Sequence, residues 1–243
     1  NNAIDVANLI IFFQIIISLI SILIFSKILK FLINKNLIIY IASIFAFFPI
    51  NVLAASQISS ITLQIFLLTN FFYFLLKFNK KDKLVNLILF SFFSGLLILI
   101  RGEFFLFYSL TLIYFFFYLK VQLKSFLISV IVSLLIISPY LYRNYELFKT
   151  ITLTKSFGYN LLKGNTPNLK VDGDALFIET EYPRDNLKIK TDNNYEINLD
   201  NFYKSKAIEN IKKDTVQYVK FYFIKLLSFT FFDINSKYAN YYN

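Results

Sequence analysis

Six apolar runs, each close to the length of a membrane crossing, follow one another along the first 142 residues. They are Ala7–Ser26, Leu37–Ala54, Ile61–Phe78, Val85–Ile100, Phe104–Leu119 and Ser125–Tyr142. A transmembrane helix needs about 20 apolar residues, within a range of roughly 17–25. Two of the runs are slightly short, so their ends are expected to reach into the flanking loops. Strands of a membrane barrel would alternate apolar and polar residues over about ten positions, and no such alternation is present. At 57% hydrophobic residues the chain also exceeds the about 45–50% of soluble domains. The sequence predicts an all-α polytopic membrane protein with about six transmembrane helices.

Lysines set an orientation. Lys27, Lys30 and Lys35 follow the first run, and Lys77, Lys80, Lys81 and Lys83 follow the third, offset only by Asp82. Lys120 and Lys124 follow the fifth. With six spans these clusters share one face, which the positive-inside rule makes cytoplasmic. The stretch GLLILIRGEFFLFYSL, Gly95–Leu110, is decisive for this phase, because Arg101 and Glu103 interrupt it. A charge at the bilayer centre costs roughly 2.5–3.5 kcal/mol on insertion scales. Reading Arg101-Gly102-Glu103 as an outer-face turn between two helices avoids that cost and keeps the lysine clusters on one side. The simplest role for Arg101 and Glu103 is then a mutual pair closing the turn.

Composition excludes several chemistries. The chain has no Cys and no His, so it has neither a thiol nucleophile nor an imidazole base, and the common zinc sites are out of reach. Its net charge of +10 lies in clusters between apolar runs, a membrane-topology pattern and not a nucleic-acid-binding face. Asp172-Gly173-Asp174 lacks a third ligand and reads as an Asp-Gly turn, so no metal residues are assigned. No cofactor is evident, and a divalent metal in a longer form of the protein stays open. The chain starts at Asn1 and contains no Met, so it reads as a piece of a longer protein lacking at least its N-terminus.

Beyond Tyr142 the composition turns polar. Residues 143–202 read as a small, mostly irregular outer-face domain with turns around Pro167 and Pro183. Residues 203–243 read as an amphipathic helix over Tyr203–Thr215, then an apolar stretch, Val216–Phe232, carrying Lys220 and Lys225. That stretch fits an interfacial helix with snorkelling lysines or the start of a short seventh span. Residues 1–142 form the helical bundle.

The segment SPYLYRNYELFKTITLTKSFGYNLLKGNTPN, Ser138–Asn168, carries a resemblance. Pro139, Arg143, Asn144 and Tyr145 follow the pattern Pro–aromatic–x–x–Arg–Asn–Tyr. Gly158, Asn160, Leu161, Gly164, Asn165 and Pro167 follow Gly–x–Asn–Leu–x–x–Gly–Asn–x–Pro. This resembles the GT-C membrane glycosyltransferases (glycosyltransferase family 39) of the protein mannosyltransferase and lipid A aminoarabinose transferase kind. Arg101-Gly102-Glu103 sits where those proteins often have Arg–Pro–Glu, with Gly102 in place of the Pro. Phe47–Leu68 resembles their Pro-ended span followed by a Ser–Glu–Thr–Leu helix start, with Ile61 in place of the Glu. The C-terminal stretch ending at Lys225 resembles their late outer helix ending in a basic residue. The likeness runs from about Ala7 to Phe232, and only Arg143–Pro167 is specific.

The resemblance implies transfer of a sugar from a polyprenyl-phosphate donor to a glycan, lipid or protein acceptor. The reaction would take place at the outer face of an inner (plasma) membrane, in cell-envelope assembly. Arg101, Arg143 and Lys225 would bind the donor phosphate, where cations offset charge developing on the departing group. Glu103, Asn144, Tyr145, Gly158, Asn160, Gly164 and Asn165 would support the site or touch the acceptor. The glycines have a simpler role in backbone geometry. The family's catalytic carboxylate lies in the first outer loop, upstream of where this chain begins. The catalytic residue is therefore unknown here, Asp5 being only a remnant near that place, and the fragment is expected to be inactive alone. The competing reading is a non-enzymatic transporter or envelope-assembly protein. A transporter would place polar groups near the midplane, often at broken helices, and the spans hold only Ser, Thr, Asn and Gln there, such as Gln14, Gln64 and Asn70.

Overall fold

The structure is a computed structural model that describes residues 2–81, 83–187, 189, 191–192 and 194–230. Among these residues it is helical throughout, with no strand. The chain divides after Arg143 into two compact units. The first holds α1 (Asn2–Leu32), α2 (Lys35–Ala46), α3 (Pro49–Ser56), α4 (Ser60–Lys81), α5 (Leu84–Ile100), α6 (Phe104–Phe117) and most of α7 (Leu123–Phe148). The second holds α8 (Phe157–Gly164), α9 (Ala175–Glu181), α10 (Tyr195–Lys213) and α11 (Thr215–Thr230).

Two prolines shape the first unit, and each leaves a carbonyl without its helical donor. Proline has no N–H, so the carbonyl four residues earlier loses its partner. Pro49 opens α3, and Phe48 before it is extended at φ −61°, ψ 124°, as sterics against a following proline require. The expected single span Leu37–Ala54 is therefore two helices meeting at a 51° bend. The Phe45 carbonyl accepts instead from the Asn51 side-chain amide at 2.7 Å and from the N–H of Phe48 at 3.4 Å. Pro139 lies inside α7 without ending it. There the orphaned carbonyl of Leu135 accepts from the Ser138 hydroxyl at 3.2 Å. Hydroxyl side chains commonly re-satisfy backbone groups freed by proline in membrane helices.

The centre of this unit is α5. Leu87 and Phe90 are fully buried, and Phe90 packs against Phe71 of α4 at 4.8 Å and Phe115 of α6 at 5.4 Å between ring centroids. Its other buried face is small and polar. Ser91 shares a hydrogen bond with Ser129 of α7 at 2.7 Å, and Ser129 another with Tyr108 of α6 at 2.8 Å. Ser133 donates to Tyr108 at 3.1 Å. Gly95 permits the close approach of α5 to α7, since a Cβ there would lie 2.8 Å from Cβ of Ile136. Small residues and hydroxyl bridges are how helices associate where lipid removes the hydrophobic drive.

The apolar helices mark the chain as a membrane protein. Three of them, α1, α4 and α7, are long and apolar enough to cross a bilayer, and α2 with α3 makes a fourth if the bent pair is one span. The other two expected spans are shorter, at 17 residues for α5 and 14 for α6. The sequence overestimates α6 because Tyr118 and Leu119 fall outside the helix and Lys120 turns left-handed at φ 50°. Outward from the core, α1 presents Ile4, Leu9, Phe12, Phe13, Leu19 and Leu23, an apolar surface suited to lipid.

The second unit is more helical than expected. Tyr195–Asp200, expected to be irregular, forms the first turns of α10, which begins eight residues before the predicted start at Tyr203. Leu199, Tyr203 and Ala207 of α10 are buried with Leu162 of α8 and Ile178 of α9. Their 4-residue spacing is the apolar face that only the fold puts to use. Of the predicted stretch Val216–Phe232, the last two residues lie outside the described residues. The remainder belongs to α11, which has 16 residues.

Candidate functional site

The Arg101-Gly102-Glu103 segment is a turn. α5 ends at Ile100 and α6 starts at Phe104, with Arg101 donating its N–H to Leu97 and accepting at its carbonyl from Phe104 at 3.0 Å. The side chains of Arg101 and Glu103 pair at 3.3 Å and are 44% and 71% exposed. Exposed pairs of this kind contribute about 0–1 kcal/mol, so the pair leaves the guanidinium available to a stronger anion.

Arg143, Asn144 and Tyr145 are helical, because α7 runs through Pro139 to Phe148. The expected span end at Tyr142 is therefore not a helix end. Asn144 is buried and donates from its amide to the Thr152 carbonyl at 2.7 Å. This fixes the chain just after α7, which leaves the helix at Lys149 with φ 54°. Tyr145 is exposed and carries the Lys149 ammonium 5.6 Å from its ring centre.

The Gly158–Pro167 segment is α8 and the turn that follows. Gly158 faces the backbone of α10 so closely that a Cβ would lie 1.9 Å from the Asp200 carbonyl oxygen. That contact lets the Asp200 carboxylate accept from the N–H of Tyr159 at 3.0 Å. The N-terminal turn of α8 thus takes its cap from α10, and Ser156 makes no cap bond. Asn160 is exposed. Asn165 is buried at the other end of the helix. Its amide donates to Leu161 at 2.8 Å, and its side-chain oxygen accepts from Tyr222 at 2.9 Å. Its backbone carbonyl accepts from the Asn210 amide at 3.1 Å and from Tyr218 at 3.3 Å.

Lys225 joins this cluster. Its ammonium donates to the Gly164 carbonyl and lies 4.5 Å from the Phe221 ring centre. A Cβ on residue 164 would sit 3.3 Å from the Lys225 nitrogen, so glycine keeps that approach open. The fold thus brings together Gly164, Asn165 and Lys225, and sets Gly158 at the opposite end of α8, against α10. Sequence reasoning missed Asn210, Tyr218 and Tyr222. Their signal was the i, i+4, i+7 spacing of Tyr218, Tyr222 and Lys225, which puts all three on one side of a helix.

The Asp172–Asp174 turn has a structural part. Gly173 adopts φ 80°, which a glycine takes without strain. Asp174 caps α9 by accepting from the N–H of Phe177 at 3.2 Å. Hydrogen bonds from Asn168 and Lys170, at 2.9 and 2.7 Å, hold its carboxyl below the usual carboxylate range. Among the described residues no group of three or more acidic, His or Cys side chains could hold a metal ion.

Beside α8 lies an open recess of about 440 Å³. Thr152, Thr154, Lys155, Asp200, Asn201 and Lys204 supply its polar lining. Comparison of the chain with family models, curated proteins and solved structures gave no match.

Proposed function

We propose that the chain is part of a glycosyltransferase that moves a sugar from a polyprenyl-phosphate donor to an acceptor at the outer face of a bacterial inner membrane. The observation that carries this reading is the attachment of Lys225 to Gly164. A lysine chosen as a phosphate ligand from one end of the second unit meets the Gly–x–Asn–Leu–x–x–Gly–Asn–x–Pro segment chosen from the other. Buried hydrogen bonds from Asn210, Tyr218 and Tyr222 hold that segment. The geometry fixes an ammonium beside a rigid turn, and preorganised cations of this kind favour charge developing on a departing phosphate. The recess beside α8 offers hydroxyl, amide and charged partners for the hydroxyls of a sugar. In this reading six spans keep the lysine clusters cytoplasmic and Arg101, Arg143 and residues 143–202 outside. The resemblance assigns Arg101 and Arg143, in the first unit, to donor-phosphate binding as well.

The test is binding of a labelled polyprenyl phosphate by the chain in nanodiscs. Charge-assisted hydrogen bonds contribute about 1.5–3 kcal/mol. Lys225→Gln and Arg143→Gln are each expected to weaken binding by roughly 10- to 100-fold, since about 1.4 kcal/mol is tenfold. Equal affinity for the polyprenol without its phosphate would sink the reading. Vesicle uptake of a labelled solute with no donor consumed would replace it with the transporter.

A further inference from the structure

The first unit carries a groove that the glycosyltransferase reading does not use. It lies between α1 and α2 and has a volume of about 630 Å³, within the roughly 300–1,000 Å³ of typical ligand sites. Ile22 of α1, Ile38, Ala42 and Ala46 of α2, and Phe47 at the Pro49 break form its apolar lining. Lys30 and Lys35, which flank the short connection from α1 to α2, also line it.

Three features narrow the occupant. Lys30 and Lys35 are exposed, and among the described residues no carboxylate pairs with either. Between Asp5 and Asp82 the sequence contains no acidic residue. Lys80 adds a third cation near the end of α1, donating to the Phe31 carbonyl at 3.3 Å and lying 4.8 Å from the Phe31 ring centre. That end of the groove therefore favours an anion. The wall is apolar and of defined length, because α2 has 12 residues, or about 18 Å at 1.5 Å per residue. A single leaflet of a roughly 30 Å hydrocarbon core is about 15 Å deep.

We propose that this groove binds one anionic phospholipid, with its phosphate between Lys30 and Lys35 and one acyl chain along α2 as far as Phe47. Basic pockets between membrane helices on the cytoplasmic side hold anionic head groups by the same physics. The lysines select for charge and the isoleucine and alanine wall selects for a chain, so a soluble phosphate lacks half the interaction. The site lies in the first unit, at the lysine-bearing connection from α1 to α2.

The experiment measures binding of fluorescent dioleoyl phosphatidylglycerol and dioleoyl phosphatidylcholine to the purified 243-residue chain in detergent micelles. The anionic lipid is expected to bind at least about tenfold more tightly, equivalent to about 1.4 kcal/mol. Lys30→Gln with Lys35→Gln should remove that preference. Ser43→Trp fills the groove from an exposed position and should weaken the anionic lipid by about tenfold with both lysines present. Lys27→Gln with Lys124→Gln lowers the net charge equally without touching the groove and should leave binding unchanged. Helical content and thermal unfolding of each variant identify any that misfold, and Ser43→Trp and the Lys30/Lys35 pair report independently. Equal binding of the two lipids overturns the proposal. So does an equal loss in the Lys27/Lys124 control, or full competition by glycerol phosphate without acyl chains.

Discussion

The hydroxyl of Tyr222 donates to the side-chain oxygen of Asn165 at 2.9 Å, joining positions 57 residues apart in the chain. This bond closes the turn after α8 onto α11. Neighbouring bonds from Tyr218 and Asn210 reach the backbone of the same residue. Asn165 is therefore the point where α8, α10 and α11 are tied together. Asn165→Leu should destabilise the second unit by about 1–3 kcal/mol, the range for leaving buried partners unsatisfied. Tyr222→Phe, which removes one bond, should cost about 1 kcal/mol. Denaturant unfolding followed by tyrosine fluorescence checks both, and a neutral Asn165→Leu would refute the role.

Gly158 gives a sharper result. A methyl group there would overlap the Asp200 carbonyl at 1.9 Å, and the nearest atoms are all backbone of α10, so no side chain can move aside to admit it. Gly158→Ala should cost about 3 kcal/mol or more, at the upper end of overpacking effects. The expected observation is loss of cooperative unfolding in the second unit, with a rise in exchange of the Tyr159 amide as its bond to Asp200 opens.

Acid should loosen the turn before α9. Asn168 and Lys170 lower the carboxyl of Asp174 below its ordinary value, so its ionised form is favoured by folding. The resulting stability is fully present above about pH 5, where the unfolded carboxyl is nearly all ionised. It is lost as pH falls further, through the depressed folded value. Asp174→Asn should lower thermal stability at neutral pH and flatten the acid limb of the stability profile. An unchanged acid limb in that variant would remove Asp174 from the explanation.

The packing of α5 and α6 against α7 should tolerate loss of a hydroxyl better than added bulk. Tyr108→Phe removes the partner of Ser129 and Ser133, and hydrogen bonds between membrane helices average about 0.6 kcal/mol. Gly95→Leu places a side chain where even a Cβ comes within 2.8 Å of Ile136, and overpacking costs about 1–3 kcal/mol. Unfolding in mixed micelles should rank Gly95→Leu as clearly the more damaging. The reverse order would mean that the hydroxyl network, not the close approach, holds these helices.

The proposed topology has a direct test because the chain contains no cysteine. Single substitutions Lys30→Cys, Lys124→Cys and Glu103→Cys each provide one thiol for an impermeant maleimide. Glu103→Cys should label from outside intact cells, and the two lysine positions only after the membrane is opened. Labelling of Lys124→Cys from outside would break the six-span alternation.

Much of the first unit was legible in the sequence, because apolar runs and interrupting charges are local signals. The helix break at Arg101–Glu103 is one example: two charges next to each other cannot stay in an apolar helix without cost. Pro49 is visible in the sequence, but the break it makes was not expected: Phe48 before it is extended, and the span becomes two helices. At Pro139 the backbone stays helical, with the Ser138 hydroxyl taking up the Leu135 carbonyl, and α7 continues to Phe148.

In the second unit, the family resemblance singled out Asn144, Tyr145, Gly158, Asn160, Gly164 and Asn165 as support and, separately, Lys225 as a phosphate ligand. It did not reveal that Asn165 is enclosed by Tyr218, Tyr222 and Asn210, or that the Asp200 backbone excludes a side chain at Gly158. Those facts depend on contacts between residues 42 to 61 positions apart. Composition and periodicity describe only near neighbours, and the early start of α10 was hidden because Glu196, Asn198 and Asp200 surround Tyr195 and Leu199, whose apolar partners include residues of α8 and α9. The sequence by itself determined an apolar, helical membrane chain with a polar C-terminal part and a charged turn after Ile100. Only the tertiary structure decided which carbonyls, hydroxyls and cations meet, because each of those pairings requires two distant segments to be held within hydrogen-bond range.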